Sequence, residues 1–353
     1  MEPILEQMCD YGKASDVLVI HELTPEQVGT DLFGWVAADV GDLNGDAAHE
    51  FIITAPFYSD TAASQGKAYL YSGLDGTLLQ TFLGEENDWL GYSAASAGDV
   101  NDDGSVGDVN GDGVPDAAVA ARHANNGAGQ AYVLSGSDGA WLRTMNPVTP
   151  SNSLTFGRFF ADEAGDVNND GIPDVYIGDY AANDGDGRVY IFSGAEDAEL
   201  LYLFDSEMPG DGLGPGRAIG DVNGDDHDDL IVAAWSSSAG GAPAAGKVYI
   251  YSGADGSILH TATGTTAEYY LGVDALGVGD VNLDGEPDYL VTGYAQPSYV
   301  ISFVESPTAV TLDRVTAQGT QPSRLPLTLV GLVGLSAAGM VGWRRRRKGN
   351  ERD

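Results

Sequence analysis

The chain of 353 residues is poor in cysteine, in basic side chains and in long helical apolar stripes. Its one cysteine, Cys9, excludes an intramolecular disulfide framework and any cysteine-based metal cluster. Only 16 Lys and Arg stand against 53 Asp and Glu, and six of the 16 fall within residues 344–353. Residues 1–343 therefore keep 10 basic against 51 acidic side chains. Nucleic-acid binding takes most of its affinity from neutralised phosphates, so no nucleic-acid partner is expected. The five histidines (His21, His49, His123, His227, His260) show no paired metal-ligand spacing, and Gly-x-Ser-x-Gly elbows and phosphate loops are missing. No catalytic residue and no organic cofactor is expected, and the chain reads as a non-enzyme. The composition does hold 43% hydrophobic residues and 49 glycines, enough to bury a core and to build many tight turns.

The acid recurs as one phrase. Gly-Asp-(Leu/Val)-Asn-x-Asp begins at Gly41, Gly107, Gly165, Gly220 and Gly279. Its first Asp lies at 42, 108, 166, 221 and 280, a period near 57 once a nine-residue insert from Asp99 is set aside. That insert carries a half-phrase, Asp99-Val-Asn101-Asp-Asp103, with Gly107 where the last acid is expected. An apolar residue and a glycine precede each phrase (Phe33-Gly34, Leu90-Gly91, Phe156-Gly157, Leu213-Gly214, Leu271-Gly272). A short apolar run follows it, and then a β-rich run ending in Ser-Gly, as in Gly187-Arg-Val-Tyr-Ile-Phe-Ser-Gly194. Such runs read as strands, three or four to a period. A small sheet of this length cannot bury both faces alone. Radial stacking of such sheets solves the problem, which predicts an all-β chain forming a β-propeller of about five four-stranded blades.

Counted from its first Asp, each phrase places oxygen ligands at positions 1, 3, 5 and 9 and a backbone carbonyl at 7. The five candidate sets are Asp42, Asn44, Asp46, Ala48 and Glu50; Asp108, Asn110, Asp112, Val114 and Asp116; Asp166, Asn168, Asp170, Ile172 and Asp174; Asp221, Asn223, Asp225, His227 and Asp229; and Asp280, Asn282, Asp284, Glu286 and Asp288. Alternate oxygen ligands in a tight loop suit a hard cation such as Ca2+, and three carboxylates within nine residues repel one another without one. Mg2+ fits less well because it keeps waters and wants stricter geometry. An EF-hand is excluded: its position 12 needs Glu, and here it is Ile53, Val119, Ile177, Val232 or Val291. A metal-free Asp/Asn turn is the alternative.

The combined pattern, Phe-Gly, then Gly-Asp-Val-Asn-Gly-Asp-Gly-x-x-Asp, then Gly-x-Val-Tyr, resembles the FG-GAP repeat of integrin alpha-chain propellers and related bacterial proteins, over about residues 31–303. The resemblance implies one structural Ca2+ per loop, about five in all, held by the residues named above. It also implies a propeller that usually has seven blades, where five full repeats stand here. Ala47 and Asp226 replace the glycine of position 6, which predicts weaker binding in those two loops.

Residues 1–15 read as an extension and 16–305 as the propeller, with repeats near 32–80, 90–143, 156–203, 213–262 and 271–303. A strand near 16–23 resembles the late strand of a repeat and is expected to close the last sheet; an N-terminus lacking earlier blades is the alternative. No signal peptide is visible after Met1. Residues 306–324 read as a linker. Leu325–Trp343 is uncharged over 19 residues, enough for a single transmembrane helix, and the basic tail 344–353 would stay cytoplasmic. The tail resembles the sorting signals of bacterial surface proteins of the PEP-CTERM class, without their Pro-Glu-Pro core. The expected function is a membrane-tethered, extracytoplasmic adhesion or ligand-recognition module whose partner is a surface protein or glycan. Recognition is expected in loops such as 57–65, 122–128 and 235–245. A surface hydrolase or enzyme-accessory domain, and a passive structural surface protein, are the alternatives.

Overall fold

The computed structural model describes residues 20–27, 31–44, 46, 48–96, 109–110, 112, 114–148, 155–283, 286–294, 296–303 and 310–312. They form five sheets, each built on an antiparallel up-and-down meander, the fourth with one further parallel strand. The first holds β1 (Ala37–Gly41), β2 (Glu50–Ala55), β3 (Lys67–Tyr71) and β4 (Leu78–Leu83). The second holds β5 (Leu90–Ser96), β6 (Ala117–Ala121), β7 (Gln130–Leu134) and β8 (Trp141–Met145). The third holds β9 (Ala161–Gly165), β10 (Asp174–Asp179), β11 (Arg188–Phe192) and β12 (Leu200–Asp205). The fourth holds β13 (Leu213–Gly220), β14 (Asp229–Ala234), β15 (Lys247–Tyr251) and β16 (Ile258–Gly264). The fifth holds three strands, β17 (Ala275–Gly279), β18 (Asp288–Gly293) and β19 (Gln296–Ser302). The all-β, propeller-like fold of four-stranded sheets agrees with the repeat reading.

Each second strand is apolar throughout because both its faces are covered. Side chains alternate between the faces of a strand. Leu230, Val232 and Ala234 of β14 pack toward the third sheet, while Ile231 and Ala233 pack toward the fifth. Likewise Ala117, Val119 and Ala121 of β6 face the first sheet, and Ala118 and Ala120 face the third. Burial of each Leu, Ile or Val in such a layer contributes roughly 1.5–3 kcal/mol. The apolar-Gly pairs serve the same contact. At Gly157, φ is +63°, and a Cβ there would lie 2.6 Å from the Cβ of Ala120 in the preceding sheet. Isolated parallel bridges, Gly66 to Leu90, Gly187 to Leu213 and Gly246 to Leu271, tie successive sheets together.

The innermost strands pack in chain order, β1 on β5, β5 on β9, β9 on β13 and β13 on β17. Arg217 of β13 joins three of these sheets. It is 2.8 Å from Asp274, just before β17, and 3.8 Å from Asp162 of β9. Its side chain is 19% exposed and that of Asp162 24%. Removing the cation of this half-buried set leaves Asp162 uncompensated, while Asp274 keeps contact with water, so Arg217→Met is expected to cost about 1–3 kcal/mol. The denaturant midpoint of the variant measures this.

Residues 16–19 of the expected closing strand lie outside the described residues, and residues 20–25 carry no strand. The segment lies against the first sheet. Leu23 packs on the cluster of Ala55, Tyr58, Tyr69 and Tyr71, and Glu26 accepts from Tyr58 and pairs with Lys67 at 2.8 Å. His21 lies over Gly76 as Gln80 of β4 lies over Gly139 and Tyr202 of β12 over Gly256. Residues 20–23 thus take, against the first sheet, the place that an outermost strand takes against the sheet after it. Among the described residues no comparable packing joins β17 to β1. Within the stretch read as a linker, β20 (Val310–Leu312) runs parallel to β16. The half-phrase at 99–103 and the spans 325–343 and 344–353 lie outside the described residues. Among those described, no helix is long and apolar enough to cross a membrane.

Candidate functional site

The five acidic phrases join the first strand of each sheet to its second, all at one end of the array. Asp108 and Asp284 lie outside the described residues; the other predicted ligands are placed. Each loop folds around its own side-chain oxygens. The position-5 N–H donates to the position-3 Oδ1 at 2.9 Å in four loops, Asp46 to Asn44, Asp112 to Asn110, Asp170 to Asn168 and Asp225 to Asn223. The same N–H reaches the position-1 Oδ1 in three, at 3.2 Å for Asp42, 3.0 Å for Asp166 and 3.1 Å for Asp221. The position-7 N–H of Ala48, Val114, Ile172 and His227 donates to the position-5 Oδ1. These are the side-chain turns that Asp and Asn make with their own backbone. Asp226 takes φ +69° where Gly171 takes +84°, and both N–H groups donate to the position-1 Oδ2. The missing glycine at position 6 thus leaves the fourth loop in the same shape.

The position-9 acid anchors the loop. Glu50, Asp116, Asp174, Asp229 and Asp288 are each 0–1% exposed. One carboxylate oxygen accepts from the position-2 N–H in all five, at 2.7–3.0 Å. The other accepts from the glycine N–H of the Ser-Gly turn in the second, third and fourth sheets, Gly136, Gly194 and Gly253, at 3.0–3.2 Å. In the first and fifth loops the position-3 amide of Asn44 and Asn282 also donates to the anchoring acid, and in the first the Gly73 N–H does so as well.

Three features of the site escaped the sequence reading. The Ser-Gly glycine donates to the anchoring acid and passes directly over the residue before it. A Cβ at Gly194 would be driven into the carbonyl oxygen of Pro173, and one at Gly253 into that of Asp228. The apolar residue at position 2 staples one sheet to the next: Leu43, Val109 and Val167 are buried among residues of the following sheet. In the fifth loop the matching Val281 is 56% exposed. Third, neighbouring loops interlock. The Asp228 carboxylate accepts from the Asp166 N–H at 2.8 Å, and His227 Nδ1 donates to the Val167 carbonyl at 2.7 Å. The invariable apolar letter at position 2 was the available signal for the staple; the interlock left none.

The electrostatics of the loops are those of excess negative charge. Burial, then the neighbouring Asp170 and Asp166, push the Asp174 carboxyl up to about 8. Burial, then Asp225 and Asp221, raise Asp229 to about 6. Glu50 is raised for the same reason. No Lys or Arg pairs with Asp166, Asp170 or Asp174 among the described residues. The all-oxygen donor set therefore fits a hard cation. Among the described residues, however, no three acidic or imidazole groups are drawn together tightly enough to hold an ion.

Residues 108–177 match the family model described as an FG-GAP-like repeat, and residues 218–251 that of the FG-GAP repeat. Both matches support an FG-GAP-like fold. Among curated proteins, integrin alpha-8 of Mus musculus is 27% identical over 243 residues, 65% of this chain and 21% of its own length. Integrin alpha pat-2 of Caenorhabditis elegans is 28% identical, over 59% of this chain and 18% of its own. Integrin alpha-IIb of Homo sapiens is 32% identical, over 46% and 16%. The chain spans about a fifth of the length of these relatives. None of these relatives is named as an enzyme, in keeping with the non-enzymatic reading. Two solved structures share parts of the shape. The Saccharomyces cerevisiae Sqt1 is 11% identical, with a TM-score of 0.47 over 76% of this chain and 60% of its own. The Bacillus licheniformis rhamnogalacturonan lyase PL11 is 15% identical, with a TM-score of 0.40 over 72% and 54%. At these scores neither likeness bears on function.

Proposed function

We propose that the chain is a calcium-loaded ligand-recognition or adhesion module at a cell surface, tethered through residues 325–343 with the propeller outside the cell. The observation that carries this is the row of five buried position-9 carboxylates, three of which, Glu50, Asp174 and Asp229, are raised by burial and by other acids of their own loops. A cation would offset that charge. Asp166, Asn168, Asp170, Asp174 and the Ile172 carbonyl would hold it in the third loop, and the corresponding residues in the others. Calcium would supply charge neutralisation and would pin the loops that staple the sheets; it has no chemical step to perform. The similarity to integrin alpha chains supports the surface and recognition parts of the reading. Residues 16–23 are proposed to complete the fifth sheet, consistent with where residues 20–23 lie.

Calorimetric titration of the full chain, solubilised in detergent, tests the metal assignment. The Asp166→Ala/Asp170→Ala variant is expected to bind one Ca2+ fewer than the parent protein. Equal stoichiometry in the two would refute the assignment of the third loop.

A further inference from the structure

The end of the array opposite the acidic loops carries a second repeating feature. Aromatic side chains that flank the start of each first strand or follow each second strand meet across all five sheets. Trp35 lies 5.2 Å from Tyr92, and Tyr92 6.4 Å from Phe159. Phe159 lies 6.1 Å from Tyr180, Tyr180 6.4 Å from Trp235, and Trp235 5.3 Å from Tyr270. Tyr92 is buried at the base, while Trp35 and Phe159 are 40% and 48% exposed. Two of the chain's few arginines lie in this belt. The Arg158 guanidinium is 4.8 Å from the Phe159 ring and donates to the Tyr180 hydroxyl at 2.7 Å. Its Nε is buried without a partner, and it makes no ion pair among the described residues. The Arg122 guanidinium lies 5.2 Å from the Trp89 ring and 5.0 Å from Tyr92.

We propose that this end of the propeller binds an acidic polysaccharide, with sugar rings stacked on the belt and uronate carboxylates paired to Arg158 and Arg122. This rests on the reading of the chain as a recognition module and names its ligand class. Charge selects an anion: a planar guanidinium set against aromatic faces matches a carboxylate, and the rest of the body, with 51 acids, repels anions elsewhere. The series of ring faces selects sugars over peptide. Among the described residues the belt presents no free strand edge for a peptide to extend, and binding of poly-L-glutamate would mark a peptide ligand in place of a sugar. Bases of single-stranded nucleic acid also stack on rings, but two arginines on so acidic a body cannot neutralise a phosphate backbone.

The test is titration of the full chain, in calcium, with hyaluronate, neutral dextran and poly-L-glutamate, followed by calorimetry and tryptophan fluorescence. Saturable binding to hyaluronate alone is expected, weakened about tenfold by Arg158→Gln and by Trp235→Ala, a loss of about 1.4 kcal/mol each. The more exposed Trp35→Ala is expected to weaken it as well, and serves if a variant of the inner belt fails to fold. Absence of hyaluronate binding, equal binding of poly-L-glutamate, or full binding by all three variants would overturn the proposal. If hyaluronate fails to bind while calcium still raises the melting temperature, only the ligand class falls. If the melt ignores calcium, the metal reading falls instead.

Discussion

Chelation with EDTA is expected to lower the melting temperature of the full chain by about 20 °C at pH 8. A ligand at a hundred times its dissociation constant stabilises the native state by roughly 2.7 kcal/mol per site. Each kcal/mol shifts the midpoint of a domain this large by about 2–4 °C. Two or three well-filled loops suffice for the shift; five would contribute as much as the roughly 5–15 kcal/mol that holds an ordinary domain together. The stripped protein should also show an unusual pH dependence. The Asp174 carboxyl sits near about 8 when folded, against about 3.9 in an unfolded chain. The folded state therefore holds a proton that the unfolded state has lost. The stability from this group is fully present below the unfolded value and is lost as pH rises through about 8. Asp229 acts alike up to about 6. In EDTA the melting temperature should thus fall from pH 5 to pH 8. With millimolar calcium the fall should vanish, because the ion favours the deprotonated loop. Calorimetric scans in both buffers measure both effects, and a melt indifferent to EDTA would end the metal reading.

The second large effect concerns a residue with no charge. Gly194→Ala is expected to cost more than 4 kcal/mol, enough to prevent folding at 37 °C. The added methyl would meet the backbone carbonyl of Pro173, which cannot move without dragging the buried Asp174. The same shift would break the Gly194 N–H bond to Asp174 Oδ1, now 3.1 Å. Gly171→Ala is the control. Unlike Gly194 it lies at positive φ, +84°, but in open space, and should cost only about 1 kcal/mol. Soluble yield and denaturant midpoints of the two variants distinguish a steric role for Gly194 from a general intolerance of alanine.

The pair of glycines also shows what the sequence could and could not reveal. The period near 57 announced the sheets, because each has to repeat the same alternation to bury two faces. The ligand positions were legible because Asp and Asn turns are local: Asp166, Asn168 and Asp170 speak to one another within five residues. The anchoring role of Gly194 was not legible, since it depends on Asp174 lying beside a turn 20 residues later. The staple formed by Val167 depends on the next sheet. The aromatic belt is the extreme case. Trp35 and Tyr270 carry no shared motif, and only the stacking of five sheets brings the rings between them into one row. Residues 20–23 resembled a late strand and lie where one would, yet the residues before them fall outside the described structure.

The account turns on whether cations fill the five loops. The most direct measurement is anomalous diffraction from crystals of the chain grown in calcium. The account predicts anomalous peaks within the loops, with Asp166, Asn168, Asp170 and Asp174 as ligands in the third and Asp221, Asn223, Asp225 and Asp229 in the fourth. Loops that keep their present hydrogen bonds and show no peak would contradict it.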